Sequence, residues 1–294
     1  MLASCEQTGD GKRSTPPNNT IMSNNLKPAE TGYANVNGLK LYYEVYGEGK
    51  PLILLHGSFM TIPLNWSAMI PLLARDRKVI VAEMQGHGRT RDTDRPMSYE
   101  AMADDVSGLL KHLHIDSADV LGYSMGGGIA FQTAIRHPEQ VRRLIILSGV
   151  YAYNGWSPAV EASLKGLTGD MLKGSPLQTQ YDSFGNDPAR FNDFVKKVIS
   201  IDLEPYDWTK DVMEIKVPIF MAMGDVDGIR YEHALALFET RGGGTMGDMD
   251  GMPQSRLAIL PGTSHVGMMH RNNILVPMIT DFLDSELKPD APEF

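Results

Sequence analysis

The stretch Asp119-Val120-Leu121-Gly122-Tyr123-Ser124-Met125-Gly126-Gly127-Gly128 decides the fold. A short apolar run ends in Gly-x-Ser-x-Gly, and Ile129, Ala130, Thr133 and Ala134 follow at helical spacing until His137-Pro138 ends the helix. Strand, tight turn and helix together form the context in which this pentapeptide carries chemistry. Glycines two before and two after the serine lack the Cβ atoms that would clash in so sharp a turn. The serine is thereby forced into a strained backbone conformation, with its Oγ exposed at the sheet edge. The helix N-terminus places partial positive charge beside that oxygen.

Outward from this elbow, the chain alternates apolar runs with helical patterns. Tyr33–Val45 holds two β-prone runs around Asn37-Gly38, a strong hairpin signal. Pro51–Leu55, Lys78–Ala82, Ala118–Gly122, Arg143–Ser148, Val217–Met223 and Arg256–Leu260 read as strands, continuous enough to be buried on both faces. Met102, Val106, Leu109, Leu110 and Leu113 mark one face of a helix over about 98–114, and a last helix is predicted over about 273–287. This rhythm predicts an α/β fold, with a mostly parallel central sheet, helices on both faces and an antiparallel N-terminal hairpin. Residues 151–212 break the rhythm. They are aromatic and helix-prone, with one helix expected over about 189–200, and read as a helical cap inserted after the sixth strand. The core is then 31–150 together with 213–290.

A serine hydroxyl is a weak nucleophile at neutral pH and needs a base, which needs an orienting acid. The expected chain order is Ser, then Asp or Glu, then His. After Ser124 the histidines are His137, His233, His265 and His270. His265 follows a strand and the turn Pro261-Gly262-Thr263-Ser264, so a loop delivers it to the sheet's C-terminal edge. His137 reads as a helix end, and His233 and His270 as surface groups. For the acid, Gly224-Asp225-Val226-Asp227-Gly228 leaves a strand end with two candidates. Asp227 is preferred; Asp225 reads as a cap on turn amides. The catalytic set is therefore Ser124, Asp227 and His265. The oxyanion donors are expected to be the amides of Met125 and Ser58, with Phe59 as the competitor for the second. His56 reads as a structural brace for that loop.

Composition excludes several alternatives. With 294 residues, 42% hydrophobic and 21% charged, the chain is long and apolar enough for a sizeable core. A net charge of −9 argues against a nucleic-acid partner. One cysteine excludes an internal disulfide and any multi-Cys metal site. No apolar run approaches the length of a membrane span. Residues 1–30 read as a polar tail. Leu2-Ala3-Ser4-Cys5 resembles a bacterial lipobox, although no charged and apolar signal regions precede it. Cys5 is then either the lipid anchor of an exported protein or a thiol on a cytoplasmic tail.

The whole of about 33–287 resembles an α/β-hydrolase fold protein of the capped, esterase-like kind. The resemblance is carried by the His56-Gly57 loop, Gly86-His87-Gly88-Arg89-Thr90, the Ser124 elbow, Gly224–Gly228 and Gly262–His265. One departure is Glu83, where the family usually has aspartate, which bears on loop geometry. The resemblance implies a cofactor-free serine hydrolase acting on a small-molecule carboxylic ester or lactone. On the same triad, C–C bond, amide and thioester hydrolysis stay open, as does a non-catalytic ligand-binding role. Relatives that open epoxides or remove halide use aspartate where Ser124 stands. Met60, Tyr123, Trp156, Val266 and Met268 are expected at the substrate pocket, methionine being an adaptable apolar lining. The aromatics Tyr151, Tyr153, Trp156, Tyr181, Phe184, Tyr206 and Trp208 either line its entrance or pack the cap onto the sheet. The glycine-rich insertion Arg241–Ser255 contains Gly-x-Gly-x-x-Gly but opens no βα turn, so no dinucleotide site is expected. Its Asp248 and Asp250 lack calcium-loop spacing, and no metal is expected.

Overall fold

The computed structural model describes residues 26–286; the expectations for Cys5 and most of the tail lie outside these residues. Eight strands form one sheet: β1 (Glu30–Val36), β2 (Leu39–Tyr46), β3 (Lys50–Leu55), β4 (Arg77–Ala82), β5 (Ala118–Tyr123), β6 (Val141–Leu147), β7 (Ile219–Val226) and β8 (Arg256–Ser264). Their order is β1-β2-β4-β3-β5-β6-β7-β8. β1 and β2 are antiparallel, β2 joins β4 antiparallel, and every pairing from β4 to β8 is parallel. The hairpin turns at Asn37-Gly38, both with positive φ (48° and 82°), as this turn requires.

Between β3 and β4 lie the short helices α1 (Ile62–Trp66) and α2 (Ile70–Leu73). α3 (Tyr99–His112) precedes β5, and α4 (Met125–Arg136) follows it. α3 starts where Ser98 accepts a hydrogen bond from the Ala101 amide, an N-cap that satisfies one free helix donor. The chain from β6 to β7 passes through α5 (Pro158–Gly166), α6 (Pro176–Ser183), α7 (Phe191–Ser200) and α8 (Thr209–Glu214), with no strand of the sheet. α9 (Tyr231–Glu239) and the short α10 (Gly247–Asp250) precede β8, and α11 (Asn272–Asp284) closes the described chain. Among the described residues, no helix is long and apolar enough to cross a membrane.

Strand side chains alternate between two buried clusters, one on each sheet face. Ile53, Leu55, Val120, Leu144 and Ile146 face α3, α4 and α7, whereas Leu52, Leu54, Leu121, Ile145 and Leu147 face α1, α2 and α11. Burial of each such side chain contributes roughly 1.5–3 kcal/mol. Both faces are covered, which is why these strands read as continuous apolar runs. Phe191, Phe194, Val195, Val198 and Trp208 of the 151–212 segment belong to the first cluster, so this segment packs directly on the sheet domain.

The strand order reverses direction beside β3, with β4 on one side and β5 on the other. Loops leaving the C-terminal ends of β3 and β5 therefore diverge and open a crevice, the usual place for a site in such a sheet.

Candidate active site

Ser124 stands between β5 and α4 with φ 53° and ψ −118°, a conformation that side-chain-bearing residues seldom adopt. The flanking glycines make it possible. A Cβ on Gly122 would lie 1.9 Å from the Gly126 carbonyl oxygen, and one on Gly126 would lie 2.0 Å from that of Leu55. The Ser124 amide donates to the Leu147 carbonyl at 2.9 Å, tying the turn to β6.

His265 and Asp227 reach the serine because of strand register. β7 and β8 stay paired beyond the sheet proper, through an irregularity after Gly224, to Val226 opposite Ser264. The next residue on each strand is Asp227 and His265. Ser124 Oγ donates to His265 Nε2 at 2.9 Å, and His265 Nδ1 donates to Asp227 Oδ1 at 2.6 Å. Asp227 Oδ2 accepts from the Ser148 hydroxyl at 2.5 Å and from the Gly224 amide at 3.0 Å. Burial raises the Asp227 carboxyl, but the bond to His265, the imidazole's charge, Ser148 and Gly224 outweigh it and hold the group below its ordinary range. Asp225 points the other way. Its carboxylate accepts from the amides of Gly262 (2.8 Å) and Thr263 (3.0 Å), bracing the loop that carries His265.

The loop after β3 lies against the elbow, with Gly57 packed on Tyr123 and near the Ser124 Cβ. The Phe59 amide donates to His87 Nε2 at 3.1 Å, so it is already engaged. Among the described residues, the Ser58 and Met125 amides have no acceptor. His56 spans this loop and the one after β4: Nδ1 donates to the Gly57 carbonyl at 2.9 Å, and Nε2 accepts from the Met84 amide at 3.0 Å. Burial drives His56 down to about 4; burial and the neighbouring His56 drive His87 to about 3, so both stay neutral. Glu83 completes the brace. Its carboxylate accepts from the Arg89 amide (2.7 Å), the Arg89 guanidinium (3.0 Å) and the Ile62 amide (3.3 Å). The longer side chain is accommodated because Gly88, with φ 54°, leaves the space its carboxyl fills; a Cβ there would lie 2.3 Å away.

Other expectations fare unevenly. Trp156 stands edge-on to His265, with ring centroids 5.7 Å apart. Tyr123 is buried and donates its hydroxyl to the His265 carbonyl at 3.0 Å, which makes it a support for the histidine. Met60 packs, half-buried, against the cluster on the α11 face. Val266 is 58% exposed on the turn after His265. Met268 is fully buried in the α11-face core. His233, expected at the surface, is buried: it stacks on Tyr151 at 3.7 Å and accepts the Tyr151 amide through Nε2 at 3.1 Å. His137 ends α4 and contacts Asp104 at 2.8 Å, and His270 is exposed. Asp248 and Asp250 are exposed on α10.

Two residues of this constellation escaped the sequence reading. Ser148 follows β6 with nothing in its local pattern to mark it. His87 lies in the Gly86–Thr90 motif, but its link to Phe59 spans 28 positions.

A parallel sheet with a strained serine elbow at its reversal point and a Ser–His–Asp relay on adjoining loops defines the α/β-hydrolase class. The alpha/beta hydrolase fold family matches residues 50–231, and the chain belongs to it. It is 35% identical over 159 residues to 2-hydroxymuconate semialdehyde hydrolase of Pseudomonas sp. strain CF600, covering 53% of this chain and 55% of that one. It is 38% identical over 117 residues to a soluble epoxide hydrolase of Corynebacterium sp. strain C12, covering 39% and 40%. The chain thus spans about half the length of the curated relatives it matches. The structure superposes on the meta-cleavage product hydrolase CumD of Pseudomonas fluorescens IP01 (S103A mutant, with acetates) with a TM-score of 0.70 and 20% identity. That match covers 88% of this chain and 99% of the other.

Proposed function

We propose that the protein is a cofactor-free serine hydrolase that cleaves a small-molecule carboxylic ester or lactone through an acyl-enzyme. The observation that carries this reading is the continuous relay from Ser124 Oγ through His265 to Asp227 at 2.9 and 2.6 Å. In the proposed reaction Ser124 attacks the carbonyl carbon and passes its proton to His265 Nε2. Asp227 holds the imidazole with Nδ1 protonated and stabilises the imidazolium that forms. The free amides of Ser58 and Met125 take the developing oxyanion. His265 then protonates the leaving alcohol, and a water activated by the same imidazole releases the acid. Residues 151–212, packed over the Phe59 and His265 loops, form the lid in this reading. Serine in place of an aspartate nucleophile sets the site apart from epoxide-opening relatives.

A second reading rests on the 35% identity to 2-hydroxymuconate semialdehyde hydrolase. That substrate contains no ester or amide bond, so its hydrolysis breaks a carbon–carbon bond. The same relay would serve a vinylogous ketone or aldehyde of that kind.

The deciding experiment measures p-nitrophenyl acetate and butyrate hydrolysis by the protein and by Ser124→Ala, alongside fluorophosphonate labelling and peptide mass spectrometry. The label is expected on Ser124, with turnover lost in the variant. A label elsewhere, or equal turnover by both proteins, overturns the mechanism. Labelling of Ser124 without ester turnover, together with cleavage of 2-hydroxymuconate semialdehyde, selects the second reading.

A further inference from the structure

Residues 241–255, between α9 and β8, take no part in the Ser124 site, and α10 within them buries no residue. The base of this excursion is nonetheless firmly built. The Arg241 guanidinium donates to the Val212 carbonyl at 2.6 Å and to that of Ile215. Gly243 lies against the Phe238 ring of α9, where a Cβ would come within 2.2 Å. Gly242, with φ 92°, faces Pro253, a Cβ there lying 3.2 Å from the proline's own, so the two ends of the excursion meet. What this closed base presents is Met246-Gly247-Asp248-Met249-Asp250-Gly251-Met252, with methionine at every third position. Among the described residues five methionines are exposed, Met171, Met246, Met249, Met252 and Met278, and three of the five fall on this one turn. They are 59%, 73% and 68% exposed, whereas Met84, Met102 and Met223 are fully buried. Methionine ordinarily serves as adaptable core filling, and three held in water at one loop tip bring the core nothing.

The local fold gathers the three. The Met249 and Asp250 amides donate to the Met246 carbonyl at 2.8 and 2.9 Å, so Met246 and Met249 stand one turn apart. Gly251, with φ 83°, then reverses the chain, and its amide donates to the Gly247 carbonyl at 2.9 Å. Met252 returns over the turn: a Cβ on Gly247 would lie 2.6 Å from its Sδ, in the space that only glycine leaves open. The third sulfur is thereby brought over the residue next to Met246. A thioether is a neutral, soft donor that carries no proton, poorly suited to calcium or magnesium and well suited to monovalent copper. Residues 241–255 contain neither cysteine nor histidine, so sulfur here comes from methionine alone. Asp248 and Asp250, exposed on the same turn, lack the spacing for a hard cation, but their charge attracts a positive ion.

We propose that the 246–252 turn is a soft-metal site, taking one Cu(I), or its redox-inert analogue Ag(I), through the sulfurs of Met246, Met249 and Met252. The site is independent of the hydrolase reading and supplies nothing to that reaction. β8 runs nine residues between the turn and His265, a span of about 30 Å. Because no donor carries a proton, binding releases none and holds as the pH falls, unlike binding by thiolate or imidazole.

The test titrates silver nitrate in chloride-free buffer into the full chain carrying Cys5→Ser, so that its one thiol cannot compete. Calorimetry gives the stoichiometry, and NMR of protein labelled with methyl-¹³C methionine reports which sulfurs bind. One equivalent is expected, shifting three methyl signals that disappear in turn in Met246→Leu, Met249→Leu and Met252→Leu. Met171 and Met278, exposed singly, are the internal control, and their signals should stay in place. Leucine keeps the side-chain volume, so these variants should stay folded. Each single variant should weaken binding at least about tenfold, the lower end of the cost of losing even an outer-shell partner of a metal. The triple variant should lose the equivalent altogether. Affinity should be the same at pH 7.5 and 5.5, and Asp248→Asn/Asp250→Asn should keep the equivalent. Cu(I), held reduced by ascorbate, should move the same three signals. The proposal is overturned by absence of saturable binding, by all five exposed methionines shifting alike, or by an equivalent retained in the triple variant. An equivalent lost in Asp248→Asn/Asp250→Asn overturns it by transferring the site to the carboxylates, and weakening at pH 5.5 does so by pointing to imidazole. A silver site that Cu(I) does not enter overturns the copper assignment.

Discussion

Ser148, the residue after β6, donates its hydroxyl to Asp227 Oδ2 at 2.5 Å from the neighbouring strand end. Ser148 is fully buried and sits at φ 52°, so its side chain is held in a strained backbone position to make this bond. The bond is one of the influences that keep Asp227 ionised against its burial. Ser148→Ala should lower kcat about 3- to 10-fold, the worth of one buried hydrogen bond, with little change in KM. The Asp227 carboxyl rises when the bond is lost. Because activity needs it ionised, the acid limb of the kcat–pH profile should move to higher pH. A profile unmoved in Ser148→Ala would remove Ser148 from the positioning of the acid.

Asp225 and Asp227 leave the same strand two residues apart, yet only Asp227 meets the imidazole. Asp227→Asn should reduce kcat by about 10²–10⁴-fold, because the amide no longer enforces the right imidazole tautomer. Asp225→Asn should cost less than about tenfold in kcat, since an amide oxygen can still accept from Gly262 or Thr263. Steady-state kinetics on both variants checks the assignment, and the reverse ranking would exchange the two roles.

Legibility in the sequence tracks locality. The elbow, the strands and their order of appearance could be read because each is fixed by a few adjacent residues: two glycines around Ser124, or a run such as Leu52–Leu55. The choice of Asp227 over Asp225 rested on loop position, and the physical basis, Val226 paired with Ser264, is a register that no local pattern displays. Met268 reads as pocket lining from its place three residues after His265, whereas its side chain is buried among the α11-face core residues, a fact set by packing and not by chain position. His233 read as a surface group from its helix, whereas Tyr151 and Gly155, about 80 positions away, close over it. His87 and Ser148 act through partners 28 and 79 positions distant, so their roles belong to the tertiary fold.

The elbow glycines differ in how much space each has. Gly126→Ala drives a Cβ to 2.0 Å from the Leu55 carbonyl oxygen, where only backbone can yield. Its cost should be about 3–5 kcal/mol of unfolding free energy, among the larger single-residue effects. Gly127→Ala meets its nearest neighbour, the Gly149 Cα, at 3.0 Å and should be distinctly milder. Urea denaturation of the two variants tests the ranking, and an equal loss would argue against so tight an approach of the elbow to β3.

Three buried histidines outside the relay set the acid limit of the fold. Burial lowers His56 and His233 from 6.5 to about 4, and burial with the neighbouring His56 lowers His87 to about 3. Above pH 6.5 both folded and unfolded chains carry these rings neutral, and stability is indifferent to them. Below 6.5 the unfolded chain takes up protons that the native state refuses, so stability falls by about 1.4 kcal/mol per pH unit for each ring. The loss continues until the folded values are reached near pH 4 and 3. His233→Gln keeps an acceptor for the Tyr151 amide and removes one titrating ring. Between pH 6 and 4.5 its unfolding free energy should fall less steeply than that of the unaltered protein by about one proton's worth, about 1.4 kcal/mol per pH unit. Urea denaturation at several pH values measures both slopes, and parallel slopes would mean that His233 titrates alike in the folded and unfolded chain.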